Sequence, residues 1–267
     1  MRIASLHTYP IKGSHRNDHD EAVVERQGLA GDRRWIVVDH DGVGVTQRDT
    51  SVLSQLHVTP VDDGLVVRTP GMPDLHVAEP AVGPKEFVRV FRRKSPVPAR
   101  IADDGGWFAR FLGRPVRLAW QADPSGRTID GSSRDDDRVS LADGYPMLVT
   151  TEGSLAALND WLVEAGEEPV PMTRFRPNIV VAGATPWAED DWVGRRLTIG
   201  DVPFLAANAC ARCLVTTIDQ ETGVKGSQPL RILGRFRNIG GGLLFGMNLL
   251  PDATGTLRVG DEVTLAS

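Results

Sequence analysis

Cysteine is scarce in this 267-residue chain: there are two, Cys210 and Cys213, three positions apart. Two such neighbours make no disulfide framework, and a zinc ribbon or an iron–sulfur cluster would need about four ligands, most of them thiolates. Histidine stops early, with His7, His15, His19, His40, His57 and His76 all in the first third. A metal near the cysteines would therefore take most of its ligands from something other than Cys and His of its own region. That points to a metal arriving inside an organic cofactor. A basic excess is missing too: the formal charge of -5 argues against general binding to nucleic acid or to a membrane surface. No apolar run approaches the roughly 20 residues of a membrane-spanning helix. The opening stretch, broken at Pro10, is too short for a signal peptide. The expectation is a cytoplasmic protein with no nucleic-acid or membrane partner.

What is present is β-type patterning over enough apolar residues, 41%, to build a core. Candidate strands fall at 2–6, 21–25, 34–39, 56–60, 64–68, 75–78 and 86–91, separated by turn signals such as Asp62-Asp-Gly64. Short strands so spaced suggest a small barrel or sandwich. A helix over 106–113 would bury Trp107, Phe108, Phe111 and Leu112 and stop at Gly113. The polar stretch 121–138 reads as a linker or surface loop. Beyond it, a strand at 147–150 leads into a helix over 152–165, capped by Thr150 or Thr151, with Leu155, Leu158, Trp161 and Leu162 on one face. Further strands are expected at 178–182, 196–199, 202–205, 214–218, 256–259 and 262–265. The fold class is mainly β with a few helices, a β-rich α+β chain.

The cysteine pair carries the sharpest chemistry. Arg212 directly precedes Cys213, and a cation beside a thiol favours the thiolate, a nucleophile or a soft metal ligand. The pair also reads as two merely adjacent thiols or as a redox dithiol. Thioredoxin-type dithiols open a helix, whereas the β-branched run after Cys213 reads as a strand. Lys12 before Gly13, Arg33 in Gly31-Asp-Arg-Arg-Trp35 and Arg176 in Arg174-Phe-Arg-Pro-Asn178 stand in tight-turn contexts. Arginines and loop N–H groups suit a phosphate, although a structural or solvated charge is the plainer reading of each. Pro177 biases Arg176 toward an extended conformation. The glycine-rich stretch 234–242 reads as a mobile loop over a site or as a flexible surface loop.

Taken together and in order, Tyr9-Pro-Ile-Lys12, Gly31-Asp-Arg-Arg-Trp35, Arg174-Phe-Arg-Pro-Asn178, Trp187-Ala-Glu-Asp-Asp-Trp192, Ile199-Gly-Asp-Val202 and Cys210-Ala-Arg-Cys213 followed by Asp219 and Thr222-Gly223 carry a resemblance. The chain resembles MOSC-domain proteins preceded by a MOSC N-terminal β-barrel domain, the family of the mitochondrial amidoxime-reducing component and its bacterial relatives. The resemblance implies a β-barrel-like domain over 1–120 packed on a MOSC β-barrel domain over 121–267, with a molybdenum cofactor (Mo-molybdopterin) between them. It implies that Cys213 is the metal ligand and that Arg212 holds its thiolate and the adjoining cofactor. Lys12, Arg33, Arg176 and Asn178 would grip the pterin and its phosphate. Asp143, Gly144 and Tyr145 would line the molybdenum pocket, with Asp143 a proton donor or substrate contact. Asn248 matches a further cofactor contact.

The chain departs from the mitochondrial pattern at Gly13, Ala211 and Asn248, where Ser, Ser and Tyr stand, and Tyr145 replaces a small residue. The implied activity is reduction of N-hydroxylated compounds, such as hydroxylamines, amidoximes and N-hydroxylated bases. Electrons would come from a separate flavin, ferredoxin or cytochrome-type protein, since no cysteines remain for a cluster of its own. Two other readings stand beside it: a non-catalytic cofactor carrier or sulfuration partner, and a thiol–disulfide oxidoreductase. MOSC domains are also associated with pyridoxal phosphate, but nothing in the sequence singles out a Schiff-base lysine.

Overall fold

The strand Arg2–Thr8 shows how patterning is turned into a sheet. Ile3 and Leu6 are both buried although three residues apart. Strict alternation would put them on opposite faces; a register shift between Ile3 and Ser5 restores both to the core side. This strand pairs antiparallel with Ile179–Ala182, which in turn pairs parallel with Met147–Thr151. A parallel pair needs a crossover, and the helix Glu152–Glu164 supplies it. Thr151 caps that helix by accepting from Ser154 N at 3.1 Å. Leu158 and Leu162 bury its inner face against Phe175 and Phe245, with Leu155 and Trp161 packed partly buried beside them.

The structure is a computed structural model describing residues 1–130 and 134–266. Its largest sheet has nine strands, running Val263–Leu265, Arg196–Ile199, Val202–Ala211, Gly242–Pro251, Met147–Thr151, Ile179–Ala182, Arg2–Thr8 and Asn17–His19, with Asn238–Ile239 attached to Gly242–Pro251. Beneath it lies a core that includes Val149, Val181, Leu197, Phe204 and Met247. The first two strands of the chain thus belong to a sheet otherwise built from the second half.

The first half contributes a four-stranded sheet (Trp35–Val38, Arg117–Trp120, Val97–Ile101, Glu86–Val88) and a three-stranded one (His57–Val61, Gly64–Arg68, Leu75–Ala78). A third small sheet joins Glu21–Glu25 and Gly28–Leu29 to Gly255–Arg258. All of Trp35–Val38 is buried, because Trp35 and Val37 face one core while Ile36 and Val38 face another. A strand covered on both faces reads as a continuous apolar run. The helix Trp107–Leu112 closes one of these cores; Trp107 and Phe108 are buried, Phe111 and Leu112 only partly. No helix among the described residues is long and apolar enough to cross a membrane.

A mainly β fold with few helices is as expected, but several details differ. The ladders form open sheets, and none closes into a barrel among the described residues. The gap in the large sheet is approached by an isolated bridge, Arg2 to Glu262, and by the backbone bonds Ile3 N to Asp261 O at 2.9 Å, Gly260 N to Ile3 O at 2.9 Å and Val263 N to Met1 O at 2.8 Å. Residues 214–217, expected in a strand, form a short 3₁₀ turn; the strand is Val202–Ala211, before the cysteine. The hydroxyls of Thr216 and Thr217 donate to the carbonyls of Cys213 and Leu214 at 2.9 and 2.8 Å, which favours the turn over a ladder.

The glycine-rich stretch 234–242 is largely exposed, as a surface loop would be, but it is not all loop. It contains the end of the helix Leu230–Phe236 and the short hairpin that opens Gly242–Pro251. The stretch 121–138 is not simply a solvated linker, since Arg127 is buried; residues 131–133 of it lie outside the described residues.

Candidate functional site

The loop Tyr9–Gly13 and the turn at Asp32–Arg33 are built on each other. Tyr9 O accepts from Arg33 N at 2.9 Å, and Tyr9 N donates to the buried Asp32 carboxylate at 2.7 Å. Asp32 also accepts from Asn178 Nδ2 at 3.0 Å and pairs with Arg33. Asn178 stitches three segments: its Oδ1 accepts from Leu148 N at 3.1 Å and its Nδ2 donates to His7 O at 3.1 Å.

Arg33 and Arg176 both hold left-handed backbone, φ 47° and 54°. For residues with a side chain this costs energy and persists where the surroundings enforce it. The expected extended conformation at Arg176 is therefore overturned. Its buried guanidinium is held by Ser14 O at 2.8 Å and Gln220 Oε1 at 2.9 Å, and it ends a 3₁₀ turn. The two guanidiniums lie over the Tyr9 ring, at 4.4 Å for Arg33 and 4.1 Å for Arg176. Burial, only partly offset by those cations, pushes the Tyr9 phenol up to about 12. Burial, with Arg33 nearby, brings Arg176 down to about 10, still charged at neutral pH.

Asp143 comes from the other side. Arg127 fixes its loop by donating to the carbonyls of Ala142 at 2.6 Å and Asp143 at 3.4 Å. The carboxylate pairs with Lys12, and Arg48 Nη2 lies 3.4 Å from its Oδ2. Burial alone would raise its pKa, but Lys12, Arg48 and Arg33 outweigh that and hold it at about 2. Burial lowers Lys12, with Asp143 opposing. More than half of the Asp143 side chain is accessible, at 56%, and that surface faces a cavity.

The third wall is the end of Val202–Ala211. Its pairing with Gly242–Pro251 shifts register between Ala206 and Asn208 and again between Ala209 and Ala211. Such irregularities re-aim side chains. Here they bring Asn208, Cys210 and Cys213 toward the space between the two halves, with Asn248 Nδ2 donating to Asn208 Oδ1 at 3.4 Å. Arg212 does not hold the Cys213 thiol, contrary to expectation. Its Nη1 is 2.8 Å from Cys210 Sγ and its Nη2 donates to Phe175 O at 2.7 Å. In extended chain, residues two apart share a face and neighbours do not. Cys213 Sγ instead has Arg48 Nη2 at 3.6 Å. Both thiols are free and half-buried.

Every candidate site residue named from the sequence lines one cavity of about 370 Å³. Lys12, Gly13, Arg33, Arg176 and Asn178 form one side; Asp143, Gly144 and Tyr145 another; Ala211, Arg212, Cys213 and Asn248 a third. Sequence reasoning missed Arg48, Gln47, Phe91 and Phe175, which also line it. Phe91 underlies two cations, Lys12 at 5.1 Å and Arg48 at 4.6 Å from its ring centre. The signal for Arg48 was weak, a basic residue at the turn Thr46-Gln-Arg-Asp49.

The cavity can hold an anion and offer it a soft ligand. Lys12, Arg33, Arg48, Arg176 and Arg212 face it, with Asp143 as the carboxylate among the described lining residues. This positive surplus sits in a chain whose net charge is -5. The cluster of potential ligands Asp39, His40 and Asp41 lies on a separate turn and does not line the cavity.

Comparison with known proteins gives matches over nearly the whole chain. Residues 1–115 match the MOSC N-terminal beta barrel domain and residues 136–264 the MOSC domain. Mitochondrial amidoxime-reducing component 1 of Mus musculus is 34% identical over 98% of this chain and 82% of its own. The protein of the same description from Homo sapiens is 32% identical over the same shares. A molybdenum cofactor sulfurase from Oryza sativa subsp. japonica is 27% identical over 93% of this chain and 32% of its own length.

Proposed function

The chain belongs to the MOSC-domain family, and on that premise we propose that it is a molybdenum-cofactor-dependent reductase of N-hydroxylated compounds. The observation that carries this reading is Cys213. Its thiol opens into a cavity lined by five named cations in an otherwise acidic protein. The donor set suits the cofactor: an anionic pterin phosphate needs guanidiniums, and a soft metal suits a thiolate.

Arg33 and Arg176, fixed over Tyr9, would grip the phosphate, with Asn178 and Lys12 beside them. Cys213 would be the metal ligand. Gly13 has no side chain and Ala211 only a methyl, so contacts to the ligand there would come from backbone. When bound, the group supplies a two-electron metal centre able to take the oxygen of an N–O bond. Asp143, ionised at neutral pH, accepts a hydrogen bond from the N–OH rather than donating one. The ammonium of Lys12, bonded to that carboxylate, holds the proton shared between them. Tyr145 and Phe91 restrict the approach. A separate electron-donor protein completes the turnover.

The test is reduction of a hydroxylamine or amidoxime by cofactor-loaded protein with an artificial donor, comparing native chain with Cys213→Ala. The reading requires turnover that the variant loses; a variant with full turnover and full molybdenum would overturn it. Likeness to the molybdenum cofactor sulfurase favours a second reading, a non-catalytic carrier or sulfuration partner. Tight cofactor binding with no turnover of any N-hydroxylated compound would select that one.

A further inference from the structure

Arg48 belongs to no motif that marked it, yet it spans the sulfur and the carboxylate placed above at the reacting end of the cavity. Its Nη2 lies 3.6 Å from Cys213 Sγ and 3.4 Å from Asp143 Oδ2. The guanidinium lies over the Phe91 ring at 4.6 Å, which restrains the plane of the fork. The base of the side chain is restrained as well: Thr46 Oγ1 accepts from Arg48 N at 3.2 Å. Arg48 O accepts from Lys225 Nζ at 3.0 Å, tying this turn to the segment that follows Cys213. Arg212, the neighbour in sequence, is occupied with Cys210 and Phe175 O.

We propose that Arg48 is the positioning residue of this site. One guanidinium, delivered from the first half of the chain, sets the direction of the Cys213 sulfur and the Asp143 carboxylate together. What the two groups face rests on the proposed function; that they are aimed by Arg48 rests on the geometry alone. A lysine would replace it only in part: both contacts come from one nitrogen, Nη2, whose N–H directions are fixed in the guanidinium plane held over Phe91, whereas an ammonium on a flexible stem has no such fixed plane.

Crystal structures of the full native, Arg48→Ala and Arg48→Lys chains, grown without cofactor, read the positions directly. The native chain should show one conformer each for Cys213 Sγ and Asp143, both within reach of Arg48. In Arg48→Ala Cys213 Sγ should leave its position and Asp143 Oδ2 should turn away about the Oδ1 that Lys12 still holds, and in Arg48→Lys one of the two should stay. The Arg48 side chain is one-third accessible, so the variants are expected to fold; if the alanine chain does not, the lysine chain decides. Sulfur and carboxylate unmoved in a variant, or a native Arg48 turned away from both, would overturn the proposal. In cofactor-loaded protein, losing such a supporting contact should cost about 10- to 100-fold, in kcat rather than KM, with Arg48→Lys recovering part. An unchanged kcat in Arg48→Ala would overturn it as well. If the native chain reduces no N-hydroxylated compound, the proposed function fails while the crystallographic result still decides Arg48.

Discussion

Replacing Asp32 by alanine should be among the most damaging changes outside the apolar core. The carboxylate is 2% exposed and serves Tyr9 N, Asn178 Nδ2 and Arg33 at once. Asn178 Nδ2 keeps His7 O at 3.1 Å, so its loss is partial. Tyr9 N has no second acceptor of comparable geometry in these contacts, and an orphaned buried donor costs about 1–3 kcal/mol. Arg33, with a side chain only 13% accessible, loses its counter-charge; breaking a buried pair costs about 3–5 kcal/mol. These costs overlap, because all three donors share one acceptor group, so the expected total is about 3–5 kcal/mol. Asp32→Asn keeps the shape and one oxygen but turns an amide toward donors, and should fall between. Urea unfolding of the cofactor-free chain measures both. An Asp32→Ala chain within about 1 kcal/mol of native would refute the claim that this carboxylate organises the Tyr9, Arg33 and Asn178 cluster.

Three further outcomes are expected. Asp143 has its pKa depressed from 3.8 to about 2, so the stability it contributes is present above pH 3.8 and drains as pH falls through about 2; the gap in urea midpoint between native and Asp143→Asn should shrink over that window, and a pH-independent gap would contradict it. Phe175 is fully buried and stacked 3.7 Å from Phe245, so Phe175→Ala should cost about 3–5 kcal/mol in the same assay and should weaken pterin retention, because Arg212 lies over that ring at 5.7 Å. Gly246 has φ +80° and a Cβ there would stand 2.7 Å from Val149 O; Gly246→Ala should destabilise the chain by more than the few tenths of a kcal/mol of an ordinary surface change, read as a lowered thermal midpoint.

The site was more legible in the sequence than the connections around it. Lys12, Arg33, Arg176, Asn178 and Cys213 stand in the short motifs that together carried the family resemblance, although each cation alone read more plainly as structural or solvated, and all line one cavity. What local patterning could not supply was long-range pairing. Gly242–Pro251 begins at glycine and contains Gly246, both depleted from strands, yet it is the strand that holds the cysteine strand in place. Cys213 was assigned the wrong arginine because adjacency in sequence was read as adjacency in space. In an extended chain the neighbour points away, and Arg48 reaches the thiol from 165 positions upstream. The turn at 214–217 was misread for a related reason: threonine favours strands on average, but its hydroxyl can also return to a carbonyl three residues back.

The central claim is that this cavity holds a molybdenum cofactor through Cys213. It is tested most directly by molybdenum and pterin analysis of native, Cys213→Ala and Cys210→Ala chains, purified alike, with turnover of an N-hydroxylated substrate measured on each. The account predicts equimolar molybdenum in the native chain, molybdenum retained in Cys210→Ala, and turnover lost in Cys213→Ala. Molybdenum and turnover undiminished in Cys213→Ala would contradict it.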